Sequence, residues 1–360
     1  MRIGIVGLPN AGKSSLFNAL TRAGAEAANY PFTTLEPNVA VVPVPDDRLD
    51  RVAATLRATP IVYETIAFHD IAGLVRGAHK GEGLGNQFLA NIRATDAIVH
   101  VVRAHRDDQV VHPEGRVDPA ADIDTIETEL IYADLEQAER RLERVGRQAK
   151  SGDRALVAEA DWLRELTEAL QSGRPARSVP PAADAPDALR NLQPLTSKPV
   201  LYVANVGEGD PLEPPPEVAE HASGRDAAAV AVSARIEAEL SELDDEEAAV
   251  MREELGAGES GLARVIRAAF ELLELISFFT AGEAKEARAH AISQGTTAWG
   301  AAGEIHTDIQ RGFVRAEVVA WNELVAAGGY AGARERGTLR LEGRDYVMRD
   351  GDVMTVKFTP

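Results

Sequence analysis

Residues 7–14 (GLPNAGKS, here called the P-loop) match the phosphate-binding pattern G-x-x-x-x-G-K-[ST]. In this pattern the glycines let consecutive backbone N–H groups face a phosphate, and the following helix presents its positive N-terminus. We expect Lys13 to reach the β- and γ-phosphates and Ser14 to ligate Mg²⁺. A chance match is disfavoured, because the pattern lies between an apolar run at 2–6 and a helical pattern. The predicted phosphate-contacting residues are Asn10, Ala11, Gly12, Lys13, Ser14 and Ser15.

Two later segments carry the other groups that a phosphate-sensing site needs. Asp70 ends an apolar run, so its carboxylate can hold Mg²⁺ through a water, and the Gly73 amide can contact the γ-phosphate. Thr34 is the predicted hydroxyl ligand of Mg²⁺ in the triphosphate state. Lys13 and Gly73 are therefore predicted catalytic groups. Leu74 stands where many GTPases carry a water-positioning Gln, and a leucine cannot orient a nucleophile, so we expect slow hydrolysis.

Asn10 has two interpretations. It can ligate a monovalent cation such as K⁺ beside the phosphates, or its side chain can brace the loop. The sequence does not decide between them.

The segment 205–208 (NVGE) lies where GTPases commonly carry Asn-Lys-x-Asp, the guanine-recognition motif. The Lys that would cover the base is absent, and Glu208 is one methylene longer than Asp, which moves the carboxylate off its bidentate position. Because a site that hydrogen-bonds a group discriminates strongly, losing this contact removes discrimination against adenine. We therefore expect ATP to be preferred, with GTP bound more weakly. Ser233 and Ala234 follow the next apolar run, where a backbone amide would contact the base.

Composition limits the class of protein. The 360 residues include no cysteine, which excludes disulfides and Cys-based metal sites. The formal net charge of −19 argues against nonspecific binding to DNA or RNA over the whole surface. Residues 205–260 hold 16 acidic and 3 basic residues, so an RNA partner would meet other parts of the chain. With no signal peptide and no apolar run of membrane-spanning length, the sequence predicts a soluble, cytoplasmic protein.

The periodicity predicts an α/β fold with a mostly parallel sheet, because short apolar runs alternate with helical patterns. Two long helices, 122–150 and 153–170, are expected to form an antiparallel, coiled-coil-like arm inserted into this sheet domain. A further helix is expected at 262–275, followed by a small α+β module with one or two short helices. The predicted strands lie at 2–6, 38–44, 63–69, 97–102, 199–204, 228–232, 286–292, 314–319, 340–347 and 353–358.

Taken together, these motifs resemble the YchF/Obg-like ATPase family of P-loop proteins over nearly the whole length. The matching segments are GLPNAGKSSLFNAL from Gly7, NYPFTTLEPN from Asn29, DIAGLVRGAHKGEGLGNQFL from Asp70, NVGE from Asn205, SARIEAEL from Ser233, FFTAGEAKEARAH from Phe278, AAGEIHTDIQRGF from Ala301 and GRDYVMRDGDVM from Gly343.

The resemblance implies three parts: a GTPase-like domain (1–121 and 198–276), an inserted helical arm (122–197) and a C-terminal TGS domain of β-grasp type (277–360). It also implies that Asn205 and the Val206 backbone contact adenine, and that the protein binds the ribosome or its subunits. His112 matches a histidine proposed as catalytic in relatives, although the sequence alone shows only a loop histidine. Gly207 departs from the family, whose members usually carry a bulkier polar residue.

Three functions agree with these residues. The first is a slow, Mg²⁺-dependent ATPase whose nucleotide state controls docking to the ribosome in translation or stress regulation. The second is a nucleotide-sensing adaptor in which hydrolysis is incidental. The third is a GTP-preferring GTPase, which depends on base preference alone.

Overall fold

The computed structural model describes residues 1–26, 38–71, 84–107, 110–113, 115–254 and 260–359. Within these ranges the chain forms twelve strands and fourteen α-helices. The strands are β1 (Arg2–Val6), β2 (Val39–Pro43), β3 (Ile61–Val62), β4 (Thr65–Asp70), β5 (Ala97–Arg103), β6 (Val200–Asn205), β7 (Ala228–Val232), β8 (Leu275–Ala281), β9 (Ala287–Ser293), β10 (Phe313–Ala320), β11 (Arg340–Glu342) and β12 (Asp352–Phe358). The helices are α1 (Lys13–Glu26), α2 (Asp47–Leu56), α3 (Leu84–Arg93), α4 (Pro119–Gln148), α5 (Arg154–Gln171), α6 (Ala188–Leu192), α7 (Pro216–Ser223), α8 (Ala234–Leu240), α9 (Asp245–Glu254), α10 (Gly261–Glu271), α11 (Ala298–Ile305), α12 (Thr307–Arg311), α13 (Trp321–Ala327) and α14 (Tyr330–Glu335).

The described chain divides into two compact units, and the first contains Met1–Val42 and Ala67–Leu272. Its six-stranded sheet has the order β2-β4-β1-β5-β6-β7. The pairs β1–β4, β1–β5, β5–β6 and β6–β7 are all parallel. All seven residues of β5 are buried, as a continuous apolar run predicts for a strand covered on both faces. The predicted α/β class with a mostly parallel sheet is confirmed.

The helical insertion consists of α4 and α5, which pack against each other. Side-chain capping starts both helices, because Asp118 accepts from the Ala121 amide and Asp153 accepts from the Ala155 and Leu156 amides. The seam is a separate apolar cluster that includes Ala138, Val145, Trp162 and Leu166. The two predicted arm helices therefore form, and their apolar residues are buried between them.

Asp134 ties α4 to the segment that leads into β6. Its carboxylate, 1% exposed, accepts from the Leu195 amide at 2.7 Å, the Thr196 amide at 2.8 Å and the Thr196 hydroxyl at 2.6 Å. A buried carboxylate needs such donors, since an unpaired one would be strongly destabilising.

The second unit contains Pro43–Ile66 and Leu273–Pro360. Its sheet has the order β11-β10-β12-β8-β9-β3 and is mixed: β10–β11, β10–β12 and β8–β9 are antiparallel, whereas β12–β8 and β3–β9 are parallel.

The boundary of this unit differs from the sequence expectation, which placed 43–66 in the GTPase-like domain. The reason is the apolar face of α2, where Leu49, Val52 and Leu56 are buried in one cluster with Phe279 and Val319. Strand β3 extends the same sheet through its parallel pairing with β9. Residues 43–66 therefore join the second unit through packing between residues distant in sequence, which local periodicity does not reveal.

Three expected elements in the C-terminal half differ in the structure. The helix predicted at 262–275 ends at Glu271, because Leu275–Ala281 (LISFFTA) forms β8 between β9 and β12. The strand predicted at 340–347 is confined to Arg340–Glu342. Four short helices, α11 to α14, occupy the described part of 294–339, where one or two were expected. None of the helices in the described ranges combines the length and apolarity that crossing a membrane requires.

We expect Asp134→Asn to lower the free energy of unfolding by about 2 kcal/mol, because the new amide group faces a backbone N–H donor instead of accepting from it. Urea denaturation measures the change. Asp124→Asn, an exposed position on the same helix, is the control and should change stability by less than about 0.5 kcal/mol. Equal effects of the two substitutions would show that the Asp134 contacts are not stabilising.

Candidate nucleotide site

A cavity of about 940 Å³ lies at the carboxyl ends of β1, β5, β6 and β7. Clefts at this edge of a parallel sheet are where such folds bind ligands, and the volume suits a nucleoside triphosphate. Most of the predicted site residues line it together: Asn10, Gly12, Lys13, Ser14, Ser15, Asn205, Val206, Glu208 and Ser233. Ala11 and Ala234 lie behind this wall and are buried.

The P-loop backbone has the shape that the glycine pattern predicts. Gly7 and Gly12 have φ values of 154° and 101°, and Asn10 also lies in the left-handed region at 62°. A Cβ atom on Gly7 would lie 2.4 Å from the Val101 carbonyl oxygen, so the loop can cross β5 only without a side chain there.

Lys13 is buried within the loop, where its Nζ donates to the Leu8 carbonyl at 2.8 Å. Burial lowers the pKa of Lys13, and the Asp70 carboxylate partly opposes this. Conversely, burial raises the pKa of Asp70, and the Lys13 ammonium partly opposes that. Both groups are held in an environment that penalises charge, so an anion near Lys13 and a cation near Asp70 would each stabilise the charged form.

The donor set fits Mg²⁺. Ser14 is an exposed hydroxyl at the first turn of α1, in the cavity. Asp70 is half-buried at the end of β4, and no side chain in the described ranges forms an ion pair with it. A hydroxyl and a carboxylate oxygen, completed by phosphate oxygens and waters, are the ligands that Mg²⁺ prefers. The third predicted ligand, Thr34, lies outside the described residues, as do Gly73 and Leu74.

The Asn205 side chain joins two loops of the site. Its Nδ2 donates to the Ala11 carbonyl at 3.1 Å, and its Oδ1 accepts from the Ala234 amide at 3.0 Å. The residue is buried, at 6% exposure. Gly12 makes this possible, because a Cβ atom there would lie 2.1 Å from the Asn205 Nδ2. Asn205 therefore positions both the phosphate end and the opposite end of the cavity.

Arg103, the last residue of β5, shapes another wall of the cavity. It is 2% exposed, and its guanidinium donates to the carbonyls of His105 at 3.2 Å, Asp107 at 3.0 Å and Val110 at 3.0 Å. Its three acceptors all line the cavity. Sequence reasoning missed this residue, although an arginine at the end of an otherwise apolar strand (AIVHVVR) is an unusual combination that could have drawn attention to it.

The segment 205–208 (NVGE), here called the altered base motif, lies at the cavity rim. The Gly207 amide donates to the Asp210 carboxylate at 2.8 Å, and a Cβ atom on Gly207 would lie 2.7 Å from the same carboxylate. Glu208 is exposed, and it interacts electrostatically with Arg235 on the other side of the rim. Thus Asp210, and not Glu208, organises the backbone of the motif.

Asn10 and His112 both involve the short segment that follows β5: Asn10 bonds to Val111, and His112 is the next residue. The Asn10 Nδ2 donates to the Val111 carbonyl at 3.0 Å. His112 is buried, does not line the cavity, and donates from Nε2 to the Asp122 carboxylate at 2.9 Å. The Asn10 Nδ2 is therefore bonded to the segment that follows β5, and His112 is bonded to the first turn of α4.

We expect Gly12→Ala to weaken binding of a fluorescent ATP analogue at least about tenfold, because the new methyl group displaces the Asn205 amide and leaves buried groups unpaired. Equilibrium titration measures the loss. Gly146→Ala is the matched control, since nothing lies within 4 Å of its Cβ position in the last turn of α4. Unchanged affinity in the Gly12 variant would mean that the site tolerates the loss of this brace.

Known proteins resemble this chain over nearly its whole length. Residues 2–139 match the family "50S ribosome-binding GTPase", and residues 275–359 match the C-terminal YchF-GTPase family, described as "Protein of unknown function (DUF933)". The "Ribosome-binding ATPase YchF" of Bacillus subtilis is 51% identical over 99% of this chain and 98% of its own length, and that of Escherichia coli O157:H7 is 49% identical over 99% of both. The solved Schizosaccharomyces pombe YchF GTPase superposes with a TM-score of 0.87 at 33% identity, covering 99% of this chain and 97% of its own. The chain therefore belongs to the YchF family of P-loop nucleotide hydrolases.

Proposed function

We propose that this protein is a slow, Mg²⁺-dependent ATPase that binds the ribosome in the cytoplasm, and that its nucleotide state controls this docking. The observation that carries the proposal is the cavity, which brings the P-loop, Asn205 and the altered base motif together at one edge of the sheet. Relatives of about 50% identity over the full length carry the name ribosome-binding ATPase.

The phosphate end works mainly through position and charge. Backbone amides of the P-loop and the Lys13 ammonium bind the β- and γ-phosphates, and the ammonium leaves the Leu8 carbonyl to do so. Ser14 and Asp70 hold Mg²⁺, which neutralises charge on the phosphate oxygens when it is bound. Thr34 and Gly73 complete this end in the proposal.

The base end supports ATP over GTP. The Asn205 amide uses one proton on the Ala11 carbonyl, so its second proton can donate to a purine acceptor. The Val206 amide is already bonded to the Val232 carbonyl, which leaves the Val206 carbonyl for the exocyclic amine of adenine. Glu208 is exposed and attracted to Arg235, so it remains hydrated and discriminates weakly for guanine.

Hydrolysis is slow because the usual water-positioning Gln is replaced by Leu74. His112 acts as the catalytic histidine only if its bond to Asp122 opens, since it does not line the cavity in this structure. The same observation favours a second candidate function, a nucleotide-sensing adaptor in which hydrolysis is incidental. The Asn10 side-chain oxygen would ligate K⁺ beside the phosphates.

We expect fluorescent ATP to bind more tightly than fluorescent GTP in the presence of Mg²⁺. We expect Glu208→Asp to shift the ratio of the two affinities toward GTP by at least about threefold, because the shorter carboxylate regains its guanine contact. Parallel titrations with and without K⁺ measure the two affinities in the unaltered protein and in the variant, and phosphate release is followed in the same samples. Glu217→Asp on α7 is the control for the loss of a methylene. Clear GTP preference in the unaltered protein would contradict the proposed base preference and leave the phosphate site intact.

We expect His112→Ala to retain ATP binding and to lose most phosphate release, because the imidazole does not line the cavity but is the proposed catalytic group. Asp122→Asn keeps the imidazole and removes the charge of its partner, so it separates loss of the histidine from loss of the contact. Co-sedimentation with ribosomes in the presence of ATP then compares docking of His112→Ala with docking of the unaltered protein. If His112→Ala loses turnover but docks and dissociates normally, the adaptor is correct and the hydrolytic switch is wrong.

A further inference from the structure

A polar network joins α4, β6 and α7 outside the nucleotide cavity. Its centre is Glu127 of α4, whose Oε1 accepts from the Tyr202 hydroxyl of β6 and lies 3.0 Å from the His221 Nε2 of α7. The other oxygen, Oε2, lies 2.7 Å from the Nη2 of Arg225. The side chains of His221 and Glu127 are only 10% and 16% exposed. An imidazole and a carboxylate are thus held against each other, and neither lines the nucleotide cavity.

Asp124 brings a second carboxylate to this pair. It lies three residues before Glu127 on α4, a spacing that places both side chains on one face of the helix. One oxygen of Asp124, one oxygen of Glu127 and one ring nitrogen of His221 all lie within 4.8 Å of one another. Asp124 is exposed, and its side chain has no hydrogen bond or ion pair within the described ranges. The network around Glu127 therefore leaves the Asp124 carboxylate available to a ligand.

The three donor atoms suit a divalent transition-metal ion. Carboxylate oxygens alone suit Mg²⁺ and Ca²⁺, whereas an added imidazole nitrogen favours ions such as Zn²⁺. An ion about 2.1 Å from both the His221 Nε2 and the Glu127 Oε1 would subtend about 90° at their present separation. Moving the two atoms apart by about 0.4 Å gives the tetrahedral angle that Zn²⁺ prefers. The geometry is therefore close to that of a bound site before any rearrangement.

The surroundings of Glu127 resemble the outer shell of a metal site. An ion would replace the hydrogen between Nε2 and Oε1, and the contacts to Tyr202 and Arg225 would remain, because an ionised carboxylate has about four lone-pair sites. Ligating carboxylates are commonly held by such hydrogen bonds, which fix their orientation. Asp124 and Glu127 together balance two positive charges. Arg225 opposes the ion electrostatically, so the affinity should be lower than that of the same ligands without a nearby cation.

We propose that Asp124, Glu127 and His221 bind a divalent transition-metal ion, with Zn²⁺ the best-suited ion and water completing its coordination. Two ligands belong to α4 and the third to α7, and none of them lines the nucleotide cavity. The ion would therefore fasten the first helix of the arm to the sheet domain and take no part in hydrolysis.

The test is calorimetric titration of ZnCl₂ into full-length, nucleotide-free protein that has been stripped with a chelator, with Mg²⁺ in excess to occupy the Ser14 and Asp70 position. We expect one Zn²⁺ ion per chain, and at least about tenfold weaker binding by Asp124→Asn and by His221→Gln, since even outer-shell changes cost about 10–100-fold. Zn²⁺ should also raise the melting temperature of the unaltered protein and leave that of both variants unchanged.

Matched controls are Asp345→Asn and His306→Gln, which remove an exposed aspartate and an exposed histidine of the second unit. Both should bind Zn²⁺ as the unaltered protein does. Asp124→Asn removes no contact of the metal-free fold, so it decides the test even if His221→Gln fails to fold. Absence of saturable Zn²⁺ binding, unchanged affinity in Asp124→Asn, or an equal loss in the controls would each overturn the inference. The network would then be complete with its hydrogen bonds and ion pair alone.

Discussion

The nucleotide cavity depends on one buried amide. At the end of β6, which lies between β5 and the edge strand β7, the two polar atoms of the Asn205 side chain hold the P-loop and the loop before α8. The Asn205 backbone carbonyl accepts from the Ala104 amide and the His105 ring. Three walls of the site thus converge on a single residue. An aliphatic side chain of similar size would leave an acceptor and a donor of the buried backbone unpaired, which is why amide chemistry at this position matters more than volume.

Two cationic side chains of the site, Lys13 and Arg103, donate hydrogen bonds to backbone carbonyls. Lys13 rests on the Leu8 carbonyl, and Arg103 rests on three carbonyls of the loop that follows β5. Among the described residues, neither cation forms an ion pair with a carboxylate, so neither has to be released from such a pair before a phosphate arrives. Lys13 and Arg103 thus place positive charge in the cavity wall even though the chain as a whole is strongly acidic.

Local patterns predicted the elements that are locally determined. The P-loop, the buried strands β1, β5, β6 and β7, and the α4–α5 hairpin follow from glycine spacing and hydrophobic periodicity. The same patterns failed where partners are distant in sequence. The apolar face of α2 indicates a helix but not that it packs with Phe279, and the run at 275–281 becomes a strand because β9 and β12 flank it. Likewise, the family resemblance implied that Asn205 contacts the base, whereas its bridge to Ala11 and Ala234 requires knowing which loops meet.

A continuous set of contacts leads from the P-loop to the arm. Asn10 bonds to Val111, and the adjacent His112 bonds to Asp122 in the first turn of α4. With 30 residues, α4 is about 45 Å long, so a tilt of about 5° at this turn moves its far end by about 4 Å. That displacement is several times the range of distances over which an N–H···O bond persists. An angular change of α4 would thus be enlarged toward the arm tip, whereas Asp134 holds the middle of the helix to Leu195 and Thr196.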